Sequence, residues 1–388
     1  KCGGVNRLDT RTGVFTRYQH DSTDTNSLSS DVVQNVLEDR NGTLWVGTPD
    51  GLSRLNEDKQ RFKRYRHSPT DSNSLCSNLV VFLTEDRRGA LWVGTYIGAV
   101  SRVERDASGR IKFRNFIPPW AATSKPEGER VWWFSPSDYL SSEGIFWMGT
   151  DTSGLRRFDT RTGESLHFKH APTNPNSLPT NNVLFTYEDE RQTLWVGSAQ
   201  GGLATLNRAD RAKGVFNVYR HNPSDPTSLS NNNVTAVLED RFGVLWVGTN
   251  GGGVNKLVTG NVRFKNFRYD LAGSNSLSDN TVWSINEARD STLWVGTNTA
   301  LNILDRRTGR WTNFKQEAGS QHAFRGRQVH AICEDKFRSN TFWLGTLDSG
   351  LIRFDRGKNR FVRHPLPSGP DHLYAIHQDR EGILWLGT

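Results

Sequence analysis

The chain has 388 residues, with 49 Lys and Arg against 41 Asp and Glu and a formal net charge of +8. The basic residues are dispersed as single arginines (Arg54, Arg102, Arg157, Arg353) and form no run, which argues against a nucleic-acid footprint; a solvated strand face is the plain reading, and attraction of an anionic ligand to a cavity mouth stays open. No stretch reaches the eighteen apolar residues of a membrane helix, and three cysteines (Cys2, Cys76, Cys333) without a CxxC spacing form no disulfide framework.

From the N-terminus, Gly3 to His20 reads as two short strands around the turn DTRTG. Ser30 to His67 then gives a complete unit: DVVQNVLED, a turn RNGT, LWVGT, PDGLSRL, NEDKQ and RFKRYRH. Each ordered piece is of strand length, rich in β-branched and aromatic residues, and bounded by Gly, Asn or Asp; none has a helical period. The five letters LWVGT around Trp45 recur unchanged or with one or two changes (FWMGT, LWVGS, FWLGT, LWLGT) at Trp92, Trp147, Trp195, Trp246, Trp294, Trp343 and Trp385, at intervals of 42 to 55 residues. Four strands per repeat of that length is the pattern of a β-propeller blade, with the tryptophan packed between neighbouring blades as scaffold. The chain closes with the first two strands of a unit, Leu373 to Thr388, whose missing half is supplied by Gly3 to His20. The fold class expected is therefore an all-β propeller with eight blades, residues 1–388 forming one domain and the last blade shared by the two termini. The alternative is a seven-bladed ring plus part of another. Because the first residues already lie inside a repeat, the chain reads as a piece of a longer protein.

The strings NSLSSDVVQNVLEDRNGTLWVGTPDGLSRL, SLSNNNVTAVLEDRFGVLWVGTNGGGVNKL and NSLSDNTVWSINEARDSTLWVGT closely resemble the two-component regulator propeller repeat. In that family the propeller is the periplasmic sensor part of bacterial membrane receptors, among them hybrid histidine kinases and diguanylate-cyclase receptors. Members often sense oligosaccharides from polysaccharide breakdown. Rings of seven blades are common there, followed by a β-sandwich, a membrane span and an output domain. The resemblance implies a periplasmic, non-enzymatic sensor of a small molecule or oligosaccharide. Membrane attachment would run through segments outside this chain, and a homodimer is compatible with the full receptor.

No hydrolase, metalloprotease, P-loop or dinucleotide motif appears, so no cofactor, metal or nucleic-acid partner is expected. The carboxylates of EDRxG (Asp39, Asp86, Asp240) lack calcium-loop spacing and are expected to cap their own turns. His20, His67, His170, His221 and His364 recur at the end of the fourth strand and read as structural. A lyase using His322, His330, His372 and His377 is one alternative function, and a protein-interaction scaffold another.

Most units are joined by a linker such as HDSTDTNSLSSD. Three joints are irregular: Pro118 to Arg130, which carries Trp120; Gln316 to Arg327; and His364 to His372. First strands line a propeller's channel, and here they share an apolar column: Val33, Val80, Val131, Val183, Val234, Val282, Val329 and Leu373. The positions on either side vary and share the opposite face. Trp132, Trp283 and Tyr374 are expected as stacking platforms at the channel mouth, with Arg130, Arg327, Gln328, His330 and His372 offering charge or hydrogen bonds and Trp120 nearby. The alternative is that some of these aromatics only plug the channel.

Overall fold

The computed structural model describes residues 3–86, 88–123, 130–137, 144–258, 263–271, 273, 275–315, 323–324, 326–366 and 372–387. Among them the strands form eight four-stranded antiparallel sheets. Blade one is Asn35–Glu38, Leu44–Thr48, Gly51–Leu55 and Phe62–Tyr65, and blades two to seven repeat that order along the chain. Blade eight is built from both ends: Ala375–Gln378 and Ile383–Gly387 supply its inner strands, Val5–Asp9 and Phe15–Tyr18 its outer ones. Val5 to Asp9 pairs with Gly387 to Ile383 in continuous register. Inner strands meet in chain order, and Ile383–Gly387 against Asn35–Glu38 closes the ring. The alternative of seven blades plus part of another is not what this chain forms.

The repeated letters have physical reasons. Trp45 lies in one cluster with Val80, Leu83, Leu91 and Val93 of blade two, so each indole joins its blade to the next. The glycine two residues on lets the neighbour approach. A Cβ on Gly47 would stand 2.8 Å from Val80 Cγ1, and one on Gly296 would stand 2.2 Å from the Val329 carbonyl oxygen.

In the EDR turns each side chain has a separate task. Asp39 Oδ1 accepts from the backbone N–H of Asn41 and Thr43, both at 2.9 Å, while its Oδ2 accepts from Trp45 Nε1 at 2.9 Å. Asp86 and Asp240 do the same for Trp92 and Trp246. Blade six has Ala288 at this position; Asp290 caps the turn there and Thr292 Oγ1 takes the Trp294 indole at 3.0 Å. The glutamate and arginine link successive blades. The Arg40 backbone N–H and Nε donate to Glu85 at 3.0 and 2.8 Å, and Arg241 meets Glu287 in the same way.

Short helical turns occur at Pro119–Thr123, within the irregular joint after blade two, and at Arg208–Asp210. One reading needs correcting. The third-strand arginines, read as a solvated face, are half-buried beside the indoles: Arg102 Cζ lies 5.8 Å from the Trp92 ring centroid. Cross-strand pairing of Trp92 with Arg102 forces that contact.

Candidate ligand site at the channel mouth

The inner strand of each blade carries the buried column. Val80, Val131, Val183, Val234, Val282, Val329 and Leu373 are at most 1% exposed, with Val33 half-buried. Every described side chain on either side of these residues is at least partly open to solvent. The pairing is not a plain alternation, however. In blades two to seven the register slips immediately after the column residue, as between Val282 and Ser284 or Val329 and Ala331. Val81, Trp132, Leu184, Thr235, Trp283 and His330 are thus the extra residues of β-bulges, which re-aim a side chain and tighten the local twist. In blades two, four, six and seven the bulge keeps the valine against the preceding blade's glycine while the rest of the strand stays in register with the second strand.

Three of these re-aimed or adjoining side chains meet. The Trp283 ring stacks on His330, centroids 4.7 Å apart and planes 23° apart. Tyr374 meets the other side of His330 edge-on at 5.7 Å. Blades six, seven and eight contribute one ring each. Burial holds the His330 imidazole below its usual pKa, so it is neutral at pH 7 and serves as an aromatic surface. Trp283 Nε1 and His330 Nε2 are sheltered and have no hydrogen-bond partner among the described residues. Tyr374 is 56% exposed and forms the outer end of the stack.

The remaining expected residues are spread more widely. Arg327 is exposed, and its backbone N–H donates to Asp348 Oδ1 at 2.7 Å. Gln328 enters the strand at φ +50° and its N–H donates to the Asn298 carbonyl at 3.0 Å. His372 is exposed at the start of blade eight. Arg130 belongs to another part of the ring: it is exposed, with Cζ 6.0 Å from the Tyr96 ring centroid. Trp120 is wedged between blades two and three. Its Nε1 donates to Ser165 Oγ at 3.1 Å, Arg156 lies over its ring at 4.3 Å, and a Cβ on Gly98 would collide with it. The Trp132 side chain lies outside the described residues, as do 124–129, 316–322 and 367–371 of the irregular joints.

Sequence reasoning passed over a recess of about 500 Å³ on blades one to three. Trp133, Tyr96 and Leu79 help to line it, and Trp133 is 42% exposed. The available signal was the doubled tryptophan of VWWF, whose second member follows the bulge, together with a tyrosine directly after LWVGT in blade two.

Most of the described histidines outside the ring stack hold structural contacts. His20, His67, His170 and His221 each place Nδ1 on the linker Leu carbonyl, at 2.7 to 2.9 Å, and so anchor the linker. His377 lies at the far end of its strand, 3.5 Å from Glu38. His322 is outside the described residues. Among the described residues no group of His, Cys, Asp and Glu is arranged to hold a metal.

The two component regulator propeller family model matches residues 27–50, 74–96, 228–251 and 276–299, each match running from the end of a linker through LWVGT. No curated protein matches the chain. Among solved structures, the extracellular domain of BT4673 from B. thetaiotaomicron is 19% identical over 100% of this chain and 56% of its own, with a TM-score of 0.39. That of BT3049 from the same organism is 17% identical over 99% and 71%, at 0.36. PorZ, a surface component of the type-IX secretion system of Porphyromonas gingivalis, is 12% identical over 95% and 54%, at 0.54, a likeness of fold. The chain thus spans little more than half the length of the solved BT4673 extracellular domain and of the solved PorZ chain.

Proposed function

We propose, from the premise that this chain is built of two-component regulator propeller repeats, that it is the ligand-binding sensor domain of a bacterial transmembrane signalling receptor. It works on the periplasmic side, and the channel mouth reads an oligosaccharide. The kinase or cyclase output and the membrane span lie in other parts of the receptor, and the propeller itself performs no turnover.

The observation that carries the ligand reading is the row of rings Trp283, His330 and Tyr374, drawn from three successive blades. Flat apolar faces flanked by a few polar groups suit the apolar faces and hydroxyl edges of sugar rings. Gln328 and His372 stand two residues before His330 and Tyr374 in the chain, and both are at least partly open to solvent. Neutral His330 keeps the platform uncharged at physiological pH.

Calorimetric titration of an oligosaccharide panel against wild type, Trp283→Ala and Tyr374→Ala tests this. Saturable binding that weakens at least tenfold in both variants is expected. Absence of glycan binding, or binding indifferent to both changes, sinks the oligosaccharide reading. Turnover of any glycan by the purified domain would replace the sensor with a lyase.

A further inference from the structure

The recess on blades one to three differs chemically from the stack on blades six to eight. Its walls are Leu79, Val81, Phe82, Tyr96, Trp133 and Phe134, and among the described residues that line it the side chains with hydroxyl or amide groups are Tyr96, Gln34 and Asn35. A sugar needs a partner for most of its hydroxyls, and this mainly apolar lining leaves many of them unmatched. The walls are also rigid. Trp133 Nε1 donates to the Thr186 carbonyl at 3.2 Å, which fixes the plane of its exposed indole. Phe82 and Phe134 stack at 5.8 Å with 13° between planes. Rigid aromatic walls around about 500 Å³ favour a compact planar guest over a flexible chain.

Charge narrows the class further. Arg130 is exposed and stands over Tyr96, one of the lining rings. A guanidinium in that position can take a carboxylate through paired N–H donors while the guest's body rests on the rings. The apolar lining continues around the channel, with Val32 and Leu184 also partly exposed.

We infer that this recess is a second ligand site, separate from the Trp283–His330–Tyr374 stack, and that it binds a small aromatic carboxylate. The ring lies against Trp133 and Leu79, and the carboxylate pairs with Arg130. A ring that holds two unlike ligands on different blades reports on both together.

The experiment is calorimetric titration of the folded chain with benzoate, 4-hydroxycinnamate and indole-3-acetate, each paired with its uncharged methyl ester. Wild type binds at least one acid saturably. Leu79→Glu, which places a charge in the recess, abolishes binding while circular dichroism and Tm show the ring intact. Arg130→Gln weakens the acid at least fivefold and leaves the ester unchanged. Trp283→Ala leaves acid binding unaltered, so failure of the oligosaccharide reading and failure of this one are separable. The inference is overturned if none of the three acids binds, if binding survives Leu79→Glu, or if acid and ester respond alike to Arg130→Gln. If Leu79→Glu fails to fold, Trp133→Ala takes its place with the same expected loss.

Discussion

Asp39 carries two loads at once, capping its turn with one carboxylate oxygen and holding the Trp45 indole with the other. Asp39→Ala leaves three donors unmet, at least one of them buried, and should cost about 3 kcal/mol in urea unfolding. In blade two, where Ala90 stands at the position that Thr292 holds in blade six, Ala90→Thr should recover part of the loss caused by Asp86→Ala. His364 makes a second residue-scale case. Its imidazole packs against Trp343, and burial, with help from Arg353, pushes its pKa down to about 4 from an ordinary 6.5. The unfolded chain therefore binds a proton that the folded one refuses. The stability tied to His364 is complete above pH 6.5 and is lost as the pH falls towards about 4. Denaturation at about pH 7.5 and about pH 5 should show a smaller drop for His364→Leu than for wild type. Neither effect was legible in sequence at full depth. The capping aspartates were, because turn spacing is local. The indole bond and the burial of His364 were not, because they depend on where the next strand and blade lie.

At the scale of the strand, the glycine of LWVGT sets how closely blades pack. Adding a Cβ at Gly296 drives it into a backbone carbonyl, whereas at Gly47 it meets a valine methyl group that can shift. Gly296→Ala should therefore lower Tm more than Gly47→Ala, with losses on the order of 1–3 kcal/mol for such overpacking. The Arg40–Glu85 link is half-exposed, and Arg40→Ala should change stability by less than about 1 kcal/mol. Strand number, order and turns were readable from the periodic aromatic and Gly–Asx pattern. The bulges were not, because each comes from competition between two blades. The valine must stay against the neighbouring glycine, and the chain absorbs that demand by inserting one residue. Trp283, His330 and Leu184 owe their direction to that insertion, and plain alternation explained it for the wrong reason.

For the whole molecule, closure rests on Val5–Asp9 pairing with Ile383–Gly387. A proline there removes a ladder bond in a central strand, so Arg7→Pro should destabilise the ring by about 3 kcal/mol or more. Thr16→Pro, on the outermost strand, should cost less; thermal melts of the two variants compare them directly. The shared blade could be anticipated because the last repeat lacks the half that the first residues supply, and the family's usual seven blades did not override that count. Eight repeats, their strand order and the joining of the ends follow from the sequence alone, since they depend on spacing along one chain. Which variable side chains face one another does not. Trp283, His330 and Tyr374 are 44 to 47 residues apart along the chain, and Leu79, Tyr96 and Trp133 come from two blades. Their meeting depends on blade tilt, bulge position and ring diameter, which only the closed tertiary structure determines.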